Sequence, residues 1–329
     1  ADSVIGAAAS YDDDTEVYFK WSSAVDNESS IRDYTITHYP TADCTSTATE
    51  ITGQTGTSYT LGSLVNGTSY TFKVTAFDQA GNSTESDCSN AILIDTTAPS
   101  APSSLVTSSD SSSGANADYD DDTTVYIQWT NGADAESGIE NHTVTIYEGA
   151  GCTGSSSDVD VSGAEFYALT TATHGTTYSF EVTANNYAGT STTSAACSSD
   201  ITVDTSAPAV TTGLITAADT SGGGDTRYDQ DTDEIFFVWD APADSGTGIE
   251  SYTVHHYSQG GCTGTATDVT SLTNTYYELT TVADATTYSF LVTALDYAGN
   301  SSTSICSGNI TIDETNPTSP TLLKIAADD

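Results

Sequence analysis

The chain has 329 residues, of which 46 are Asp or Glu and only 5 are Lys or Arg, so its formal net charge at pH 7 is −41. So acidic a surface repels nucleic-acid phosphates and anionic membranes, which excludes both as partners and favours cations. The length suits three domains of about 110 residues, and no apolar run is long enough to span a bilayer.

The first predicted elements are short strands. Residues 17–21, 34–39 and 70–76 are rich in β-branched and aromatic side chains, and Gly, Asn, Asp or Ser residues bound each segment. Their alternation of apolar and polar residues predicts β-strands, and no segment has the apolar stripe of a helix. The acidity does not predict disorder, because 3 Trp, 19 Tyr and 8 Phe can fill hydrophobic cores.

The same pattern returns twice along the chain. Three Trp residues lie 108 and 110 positions apart: Trp21, Trp129 and Trp239. Three Tyr residues show the same two spacings: Tyr70, Tyr178 and Tyr288. An Asp-rich segment also recurs at 11–15, 119–123 and 228–232, and a Pro-bearing segment recurs at 94–99, 203–208 and 312–317. Short strands within repeated units of this size predict an all-β chain of three tandem antiparallel β-sandwiches.

Each unit resembles a fibronectin type III domain. Trp21 lies where that family has the Trp of strand B, and Tyr70 resembles its tyrosine-corner residue. Residues 77–83 and 295–301 resemble the loop between strands F and G, most closely in bacterial extracellular members. The resemblance implies the fold and not the function, since the family serves in cell-surface stalks, receptors, adhesins and spacers of secreted hydrolases.

The Pro-bearing segments set the predicted boundaries. Module one is residues 1–97, module two is residues 98–206 and module three is residues 207–315. Residues 316–329 resemble the first strand of a fourth module. That strand is expected either to belong to a longer parent protein or to be donated to a neighbouring subunit.

The cysteines occur as one pair per module, in equivalent places: Cys44 and Cys88, Cys152 and Cys197, Cys262 and Cys306. The repeat therefore favours pairing within each module, and the resemblance implies that the segments after strand C and before strand G are neighbours. Three intramodular disulfides are predicted, and they indicate an oxidising, extracellular location. Metal-binding thiolates are the alternative, but the chain has no Cys-x-x-Cys pair and its His residues do not follow the cysteines.

Acidic clusters are the sharpest functional signal. In the resembling fold, the loop before strand B lies at the exit end of a module, and the B–C loop lies at the entry end of the next. The first junction is therefore expected to gather Asp12, Asp13, Asp14, Asp95, Asp134 and Glu136. The second junction is expected to gather Asp120, Asp121, Asp122, Asp204 and Asp244.

Carboxylates held this close repel one another unless a cation neutralises them. Calcium accepts six to eight oxygen ligands in flexible geometry, so it suits such loops. We therefore expect calcium to bridge consecutive modules and to stiffen the chain. The alternative is a solvated acidic surface that serves solubility or tolerance of high salt.

No catalytic motif supports an enzyme. The chain has no Gly-x-Ser-x-Gly elbow, no His-Glu-x-x-His motif and no phosphate loop. Its Tyr and Trp residues are expected to fill cores rather than to form a sugar-stacking platform.

The sequence thus predicts a non-catalytic, structural or adhesive extracellular rod, in a stalk or fibre of a secreted or cell-surface protein. Its expected partners are neighbouring modules or subunits, or a surface or glycan target. Two alternatives stay open: spacer modules of a secreted hydrolase, and the subunit of a polymerised extracellular filament.

Overall fold

The computed structural model describes residues 10–230 and 233–321, and all regular elements in this part of the chain are β-strands. It follows that no described helix could cross a membrane. The strands form three β-sandwich modules in tandem. The chain divides into two compact units, of which the first comprises Ala1–Asn116, Tyr126–Ala168 and Tyr178–Asp200, and the second comprises Ala117–Val125, Leu169–Thr177 and Ile201–Asp329.

Module one lies in the first unit. Its described strands are β1 (Tyr11–Asp12), β2 (Val17–Lys20), β3 (Ile31–Tyr39), β4 (Thr49–Gln54), β5 (Ser58–Leu61), β6 (Ser69–Asp78), β7 (Ser83–Glu85) and β8 (Ile92–Ile94). One sheet has the order β1-β8-β6-β3-β4, with β7 beside β6, and β2 pairs with β5 in the other. The core between them contains Val17, Leu64, Tyr70, Phe72 and Ile94.

Module two contributes residues to both units. Its strands are β9 (Ser103–Ser108), β10 (Tyr119–Asp120), β11 (Val125–Thr130), β12 (Ile139–Glu148), β13 (Ser155–Val161), β14 (Phe166–Leu169), β15 (Thr177–Asn186), β16 (Ser191–Thr193) and β17 (Ile201–Val203). In the first unit β12 pairs with β13 and β15, β15 with β16, and β11 with β9. In the second unit β10 runs parallel to β17. Because β12 buries alternate residues such as His142, Val144 and Ile146, the predicted period of two is confirmed.

Module three lies in the second unit. Its strands are β18 (Ile215–Ala218), β19 (Tyr228–Asp229), β20 (Ile235–Val238), β21 (Ile249–Tyr257), β22 (Thr267–Leu272), β23 (Tyr276–Leu279), β24 (Thr287–Asp296), β25 (Ser301–Thr303) and β26 (Ile310–Ile312). One sheet has the order β19-β26-β24-β21-β22, with β25 beside β24, and the other has the order β18-β20-β23. Trp239 packs edge-on against Tyr252 in the core, with ring centroids 5.4 Å apart.

Two tyrosine corners follow the sequence prediction. The hydroxyl of Tyr70 accepts a hydrogen bond from the backbone N–H of Val65 at 3.1 Å. The hydroxyl of Tyr288 accepts one from the N–H of Ala283 at 3.0 Å. Each bond satisfies a backbone donor in the segment that precedes the long strand β6 or β24.

All three predicted disulfides are confirmed. Their Cα–Cα distances are 6.2, 5.9 and 5.8 Å, in the pairs Cys44–Cys88, Cys152–Cys197 and Cys262–Cys306. In each module the disulfide joins the segment after the long strand β3, β12 or β21 to the segment before the last strand, which is β8, β17 or β26. These pairs use all six cysteines of the sequence, so none is left for the alternative thiolate metal site.

The predicted boundaries fall between β8 and β9 and between β17 and β18. The predicted strand of a fourth module, in 316–329, lies largely outside the described residues, which end at 321. The described residues 316–321 contain no strand. Asp231 and Thr232 of the third Asp-rich segment also lie outside the described residues.

Candidate metal centres at the module junctions

The first junction lies within the first unit and is centred on Asp95, which directly follows β8 and is 0% exposed. Its backbone N–H donates to the carbonyl of Asp12 at 2.8 Å. Oδ1 accepts hydrogen bonds from the N–H and the hydroxyl of Thr97 at 3.1 and 2.9 Å. Oδ2 accepts bonds from the N–H of Ser137 at 3.1 Å and from the amide of Asn186 at 3.0 Å. Asp95 therefore joins the end of module one to two loops of module two.

Asp134 shapes the loop of module two between β11 and β12. Its Oδ1 accepts bonds from the N–H groups of Glu136, Ser137 and Gly138 at 3.2, 2.9 and 2.8 Å. Gly138 has a φ of +79°, in the left-handed region that glycine adopts most readily. Asp134 is thus a turn-forming residue, a role that accounts for this side chain even without a metal ion.

The buried amide of Asn186, at the end of β15, holds two of these carboxylates together. Its Nδ2 donates to Oδ2 of Asp95 at 3.0 Å, to Oδ2 of Asp134 at 3.2 Å and to the carbonyl of Thr97 at 3.1 Å. Its Oδ1 accepts a bond from the N–H of Thr190 at 2.8 Å. Asn186 is not among the residues predicted from the sequence, because it is neutral and its carboxylate partners lie 91 and 52 positions away.

Glu136 completes the first junction by reaching into module one. Its Oε1 accepts a bond from the amide of Asn66 at 3.2 Å, and its Oε2 accepts one from the hydroxyl of Thr97 at 3.1 Å. Carboxylate oxygens of Asp95, Asp134 and Glu136 lie within 4.8 Å of one another. The structure therefore brings together three of the predicted ligands.

Asp204 has the corresponding place at the second junction, within the second unit, and is also 0% exposed. Its backbone N–H donates to the carbonyl of Asp120 at 2.8 Å. Oδ1 accepts bonds from the N–H and the hydroxyl of Ser206 at 3.1 and 3.0 Å. Oδ2 accepts bonds from the N–H and the hydroxyl of Thr247 at 2.6 and 2.9 Å, so this carboxylate also joins two modules.

Asp244 forms the turn between β20 and β21, as Asp134 does in module two. Its Oδ2 accepts bonds from the N–H groups of Gly246 and Gly248 at 3.0 and 2.7 Å. Its Oδ1 is buried and has no hydrogen-bond partner among the described residues. A buried carboxylate oxygen without a donor is costly, so this atom points to a missing partner.

Asp296 is the third carboxylate of the second junction, and it is fully buried at the end of β24. Its Oδ1 accepts bonds from the N–H groups of Gly299 and Asn300, both at 2.8 Å, and its Oδ2 accepts the amide of Asn300 at 3.0 Å. Carboxylate oxygens of Asp204, Asp244 and Asp296 lie within 4.8 Å of one another. Asp296 is not among the residues predicted from the sequence, because Asp204 belongs to another module and Asp244 to another loop.

The Asp triplets form groups of their own. Within each triplet the carboxylate oxygens lie within 4.8 Å of one another, in the sets Asp12, Asp13 and Asp14, and Asp120, Asp121 and Asp122. Oδ1 of Asp12 accepts the N–H of Asp14 at 3.2 Å, and Oδ1 of Asp120 accepts the N–H of Asp122 at 2.9 Å. The sequence predicts one set of ligands at each junction, but the structure has two: the Asp triplet and the group that contains Asp95 or Asp204. The backbone hydrogen bond from Asp95 to Asp12, or from Asp204 to Asp120, links the two groups.

An aromatic pair accompanies each polar network. Tyr11 of module one stacks on Tyr187 of module two, with ring centroids 5.7 Å apart. At the second junction Tyr119 packs against Tyr297 with centroids 5.8 Å apart. Each junction therefore combines apolar contact with buried hydrogen bonds.

The buried carboxylates are held in the charged form. Burial raises the pKa of Asp95, but the hydrogen bonds from Ser137 and Thr97 outweigh burial, so the pKa lies below its ordinary value of 3.8. The same balance, with Thr247 as the leading donor, lowers the pKa of Asp204. Each junction therefore contains buried negative charge at neutral pH.

The histidines do not add to these groups. Within the described residues, the groups of three or more neighbouring potential metal ligands are the four acidic ones. The His residues are His38, His142, His174, His255 and His256. His142 packs against Trp129 with ring centroids 5.5 Å apart, and burial lowers the pKa of its imidazole.

Comparison with known families identifies two of the modules directly. Residues 8–92 match the family model of the fibronectin type III domain. Residues 223–304 match that of the PBP1-like, fibronectin3-like domain. Among solved structures, the FN1–FN3 domains of chicken CNTN1 are similar over 90% of this chain and 93% of theirs, at 20% identity and a TM-score of 0.36.

Two curated relatives are enzymes of Cellulomonas fimi. Exoglucanase B is 30% identical over 310 residues, which are 90% of this chain and 24% of the relative. Exoglucanase A is 32% identical over 300 residues, which are 87% of this chain and 29% of the relative. The chain thus spans less than a third of the length of either relative. With three disulfides, this similarity points to an extracellular protein. The chain is a tandem array of fibronectin type III domains and belongs to that family.

Proposed function

We propose that this chain is a non-catalytic spacer segment of an extracellular polysaccharide-degrading protein. The observation that carries the proposal is the unequal coverage, because the similarity takes in 90% of this chain but only 24% of Exoglucanase B. The shared region is a minor part of the relative, and in this chain it consists of tandem β-sandwich modules. Fold alone does not assign activity, and the absence of a catalytic motif in the sequence favours a spacing role.

The junctions support this proposal. A spacer holds its neighbours at a set separation only if its modules are joined by more than a flexible linker. Asp95 and Asp204 are fully buried, and each accepts a hydrogen bond from a residue of the next module. The partners of each module are therefore, in the first place, its neighbouring modules.

The calcium hypothesis is part of the proposal. Four groups of three carboxylates, each group close enough to share one ion, accompany a net charge of −41. Calcium bound at a junction group would neutralise charge there and stiffen the connection between modules. The solvated acidic surface remains the alternative explanation for the two Asp triplets, which contain exposed side chains.

The stalk and adhesin interpretations rest on the tandem repeat, and the filament interpretation rests on the strand expected in 316–329, which lies largely outside the described residues. The repeat is equally compatible with a spacer, and the similarity to two exoglucanases favours the spacer. A cell-surface location and a glycan target belong to those interpretations.

Two experiments test the spacer role. The purified chain should hydrolyse neither insoluble cellulose nor soluble glucans. It should also stay in solution when insoluble cellulose is sedimented. The full-length gene should encode a catalytic domain, and removal of these modules should lower activity on insoluble cellulose more than on a soluble substrate. Hydrolysis by the isolated chain, or a parent protein without any catalytic domain, would contradict the proposal.

A further inference from the structure

The two junctions differ at one equivalent position. Asn186 and Asp296 end the matching strands β15 and β24, and each is fully buried beside the junction aspartate. At the first junction this residue is an amide whose NH₂ group donates to two carboxylates, Asp95 and Asp134. At the second junction it is a carboxylate, which can only accept hydrogen bonds when it is ionised.

The exchange removes a donor where one is needed. Asp244 corresponds to Asp134 in the repeat, and the Oδ2 atom of Asp134 accepts the amide of Asn186 at 3.2 Å. One carboxylate oxygen of Asp244, Oδ1, is buried and has no partner within the described part of the chain. The second junction thus contains an acceptor without a donor, Oδ1 of Asp244, whereas the amide of Asn186 supplies the donor at the first junction.

The same exchange places a fully buried charge where the first junction has a neutral amide. The third carboxylate of the first group, Glu136, is only partly buried and accepts hydrogen bonds from Asn66 and Thr97. Asp204, Asp244 and Asp296 bring three carboxylates within 4.8 Å of one another, and two of them are 0% exposed. The hydrogen bonds to Asp296 come from Gly299 and Asn300 of its own turn. The amide of Asn300 also donates to the backbone carbonyl of Asp204 at 2.7 Å, but these bonds do not link the carboxylate of Asp296 to those of Asp204 and Asp244. Like charges at this separation repel strongly in a buried setting.

No cationic side chain compensates among the described ion pairs. Nδ1 of His174 lies 3.3 Å from Oδ1 of Asp204, a contact that is an ion pair only when the imidazole is protonated. That nitrogen accepts a hydrogen bond from the N–H of Thr205 at 3.2 Å, which requires an Nδ1 without a proton. The remaining ion pairs, Arg32–Asp33, Lys73–Glu85 and His255–Asp268, lie elsewhere.

We propose that the second junction binds one divalent cation of the calcium class through Asp204, Asp244 and Asp296, whereas at the first junction the amide of Asn186 takes the place of the cation. Carboxylate oxygens are the ligands of hard cations, and a flexible set completed by solvent or backbone oxygens suits calcium. The inference rests on the calcium part of the proposed function and is independent of the spacer role.

A consequence is that the two junctions respond differently to calcium. The first junction has its donor built in, so it stays ordered when calcium is removed. The second junction is ordered only while the cation is bound, since binding to the folded state stabilises it by mass action. Calcium would then set the order of one connection in the chain and leave the other unchanged.

Two reciprocal substitutions test the assignment. Asp296→Asn gives the second junction the amide of the first, and Asn186→Asp gives the first junction the carboxylate of the second. Asp78→Asn is the matched control, because Asp78 ends β6 at the same position of module one and bonds to Asn82 of its own turn. Each protein is dialysed against chelator and titrated with calcium chloride to about 10 mM, which covers the affinities typical of extracellular modules. Bound calcium is counted by equilibrium dialysis, and thermal unfolding is recorded with calcium and with chelator.

We expect Asp296→Asn to bind one calcium ion fewer than the wild type and Asn186→Asp to bind one more. The control should bind the same number as the wild type. In chelator, Asp296→Asn should unfold at a higher temperature than the wild type, and Asn186→Asp should unfold at a lower temperature that calcium restores.

Each contrary result overturns a different part of the proposal. If the wild type binds calcium and Asp296→Asn binds the same number, the site is wrongly assigned while the calcium hypothesis stands. If no variant binds calcium, both the site and the calcium hypothesis fail, and the spacer role is untouched because it is tested by cellulose hydrolysis. If Asn186→Asp unfolds earlier but gains no ion, the amide is only a structural donor and the proposed equivalence is overturned.

Discussion

Replacement of Asn186 by Ala tests most sharply whether one buried amide holds the first junction together. The substitution removes an NH₂ group that donates to Oδ2 of Asp95 at 3.0 Å and to Oδ2 of Asp134 at 3.2 Å. It leaves two carboxylates facing each other across a small cavity. The substitution therefore loses both hydrogen bonds, and it leaves the two negative charges to repel each other with no donor between them.

The magnitude follows from the kind of bond. A hydrogen bond to a charged group contributes about 1.5–3 kcal/mol. Removing one partner of a buried charged contact, which leaves the other charge unpaired, costs about 3–5 kcal/mol. We therefore expect Asn186→Ala to lower the free energy of unfolding of module two by about 3–5 kcal/mol. Asn185→Ala is the matched control. Asn185 is the neighbouring residue of the same strand, but its amide donates to the neutral groups of Asn141 and Thr143 at 2.7 and 3.0 Å. Its loss should cost about 1 kcal/mol.

The assay uses the single Trp of each module. With Trp21 and Trp239 replaced by Phe, Trp129 is the one remaining Trp, and its fluorescence reports the unfolding of module two. Urea denaturation in chelator should place the midpoint of Asn186→Ala about 2 M below that of the same background, given a slope of about 2 kcal/mol per M. The reasoning is refuted if Asn186→Ala loses no more stability than Asn185→Ala.

Three further predictions concern the fold. Replacing Cys262 and Cys306 by Ser opens a loop with a sequence separation of 44, which by loop entropy lowers the stability of module three by about 4 kcal/mol; an unchanged melting temperature would contradict this. Tyr288→Phe leaves the N–H of Ala283 without its acceptor and should cost about 1–3 kcal/mol in urea denaturation, whereas an unchanged midpoint would remove the structural role of this hydroxyl. Burial lowers the pKa of His142 below its ordinary value of 6.5, so the unfolded state binds the proton more readily and stability is lost as the pH falls below 6.5. Denaturation between pH 7 and 5 should show a smaller loss for His142→Phe than for the wild type, and equal losses would refute this cause.

Much of the fold is predictable because the same pattern occurs three times, so each module checks the interpretation of the other two. The Trp spacings and the period of two identify the modules, and the occurrence of one cysteine pair per module identifies the disulfides. The tyrosine corner is also predictable, since it depends on a local motif within one module. Tyr70 bonds to a residue 5 positions away.

The composition of the junctions is only partly predictable. Asp95, Asp134 and Glu136 carry charge and recur in loops, so their pattern in the sequence indicates candidate ligands. Asn186 and Asp296 lie at strand ends, and their significance depends on partners from another module. Asn186, for example, contacts Asp95 91 positions away. Such contacts are set by how consecutive modules pack, which a pattern of local periodicity does not contain.

The Asp triplets show a second limit of the sequence. Their charge predicts metal ligands pooled with Asp95 or Asp204, yet each triplet makes its own tight turn with side chain to backbone bonds. Asp residues favour such turns for local reasons, because their carboxylates accept the backbone N–H two positions ahead. A run of Asp residues therefore signals both a turn and a cation, and sequence alone does not separate the two.

The most direct test of the difference between the junctions is amide hydrogen exchange in the wild-type chain, in chelator and then in calcium. The reporters are the N–H groups of Ser137, which donates to Asp95, and of Thr247, which donates to Asp204. We predict that Ser137 is protected in both conditions and that Thr247 gains protection only when calcium is present. Equal protection of Thr247 with and without calcium, or exchange at Ser137 that slows only in calcium, would contradict the claim that an amide secures one junction and a cation the other.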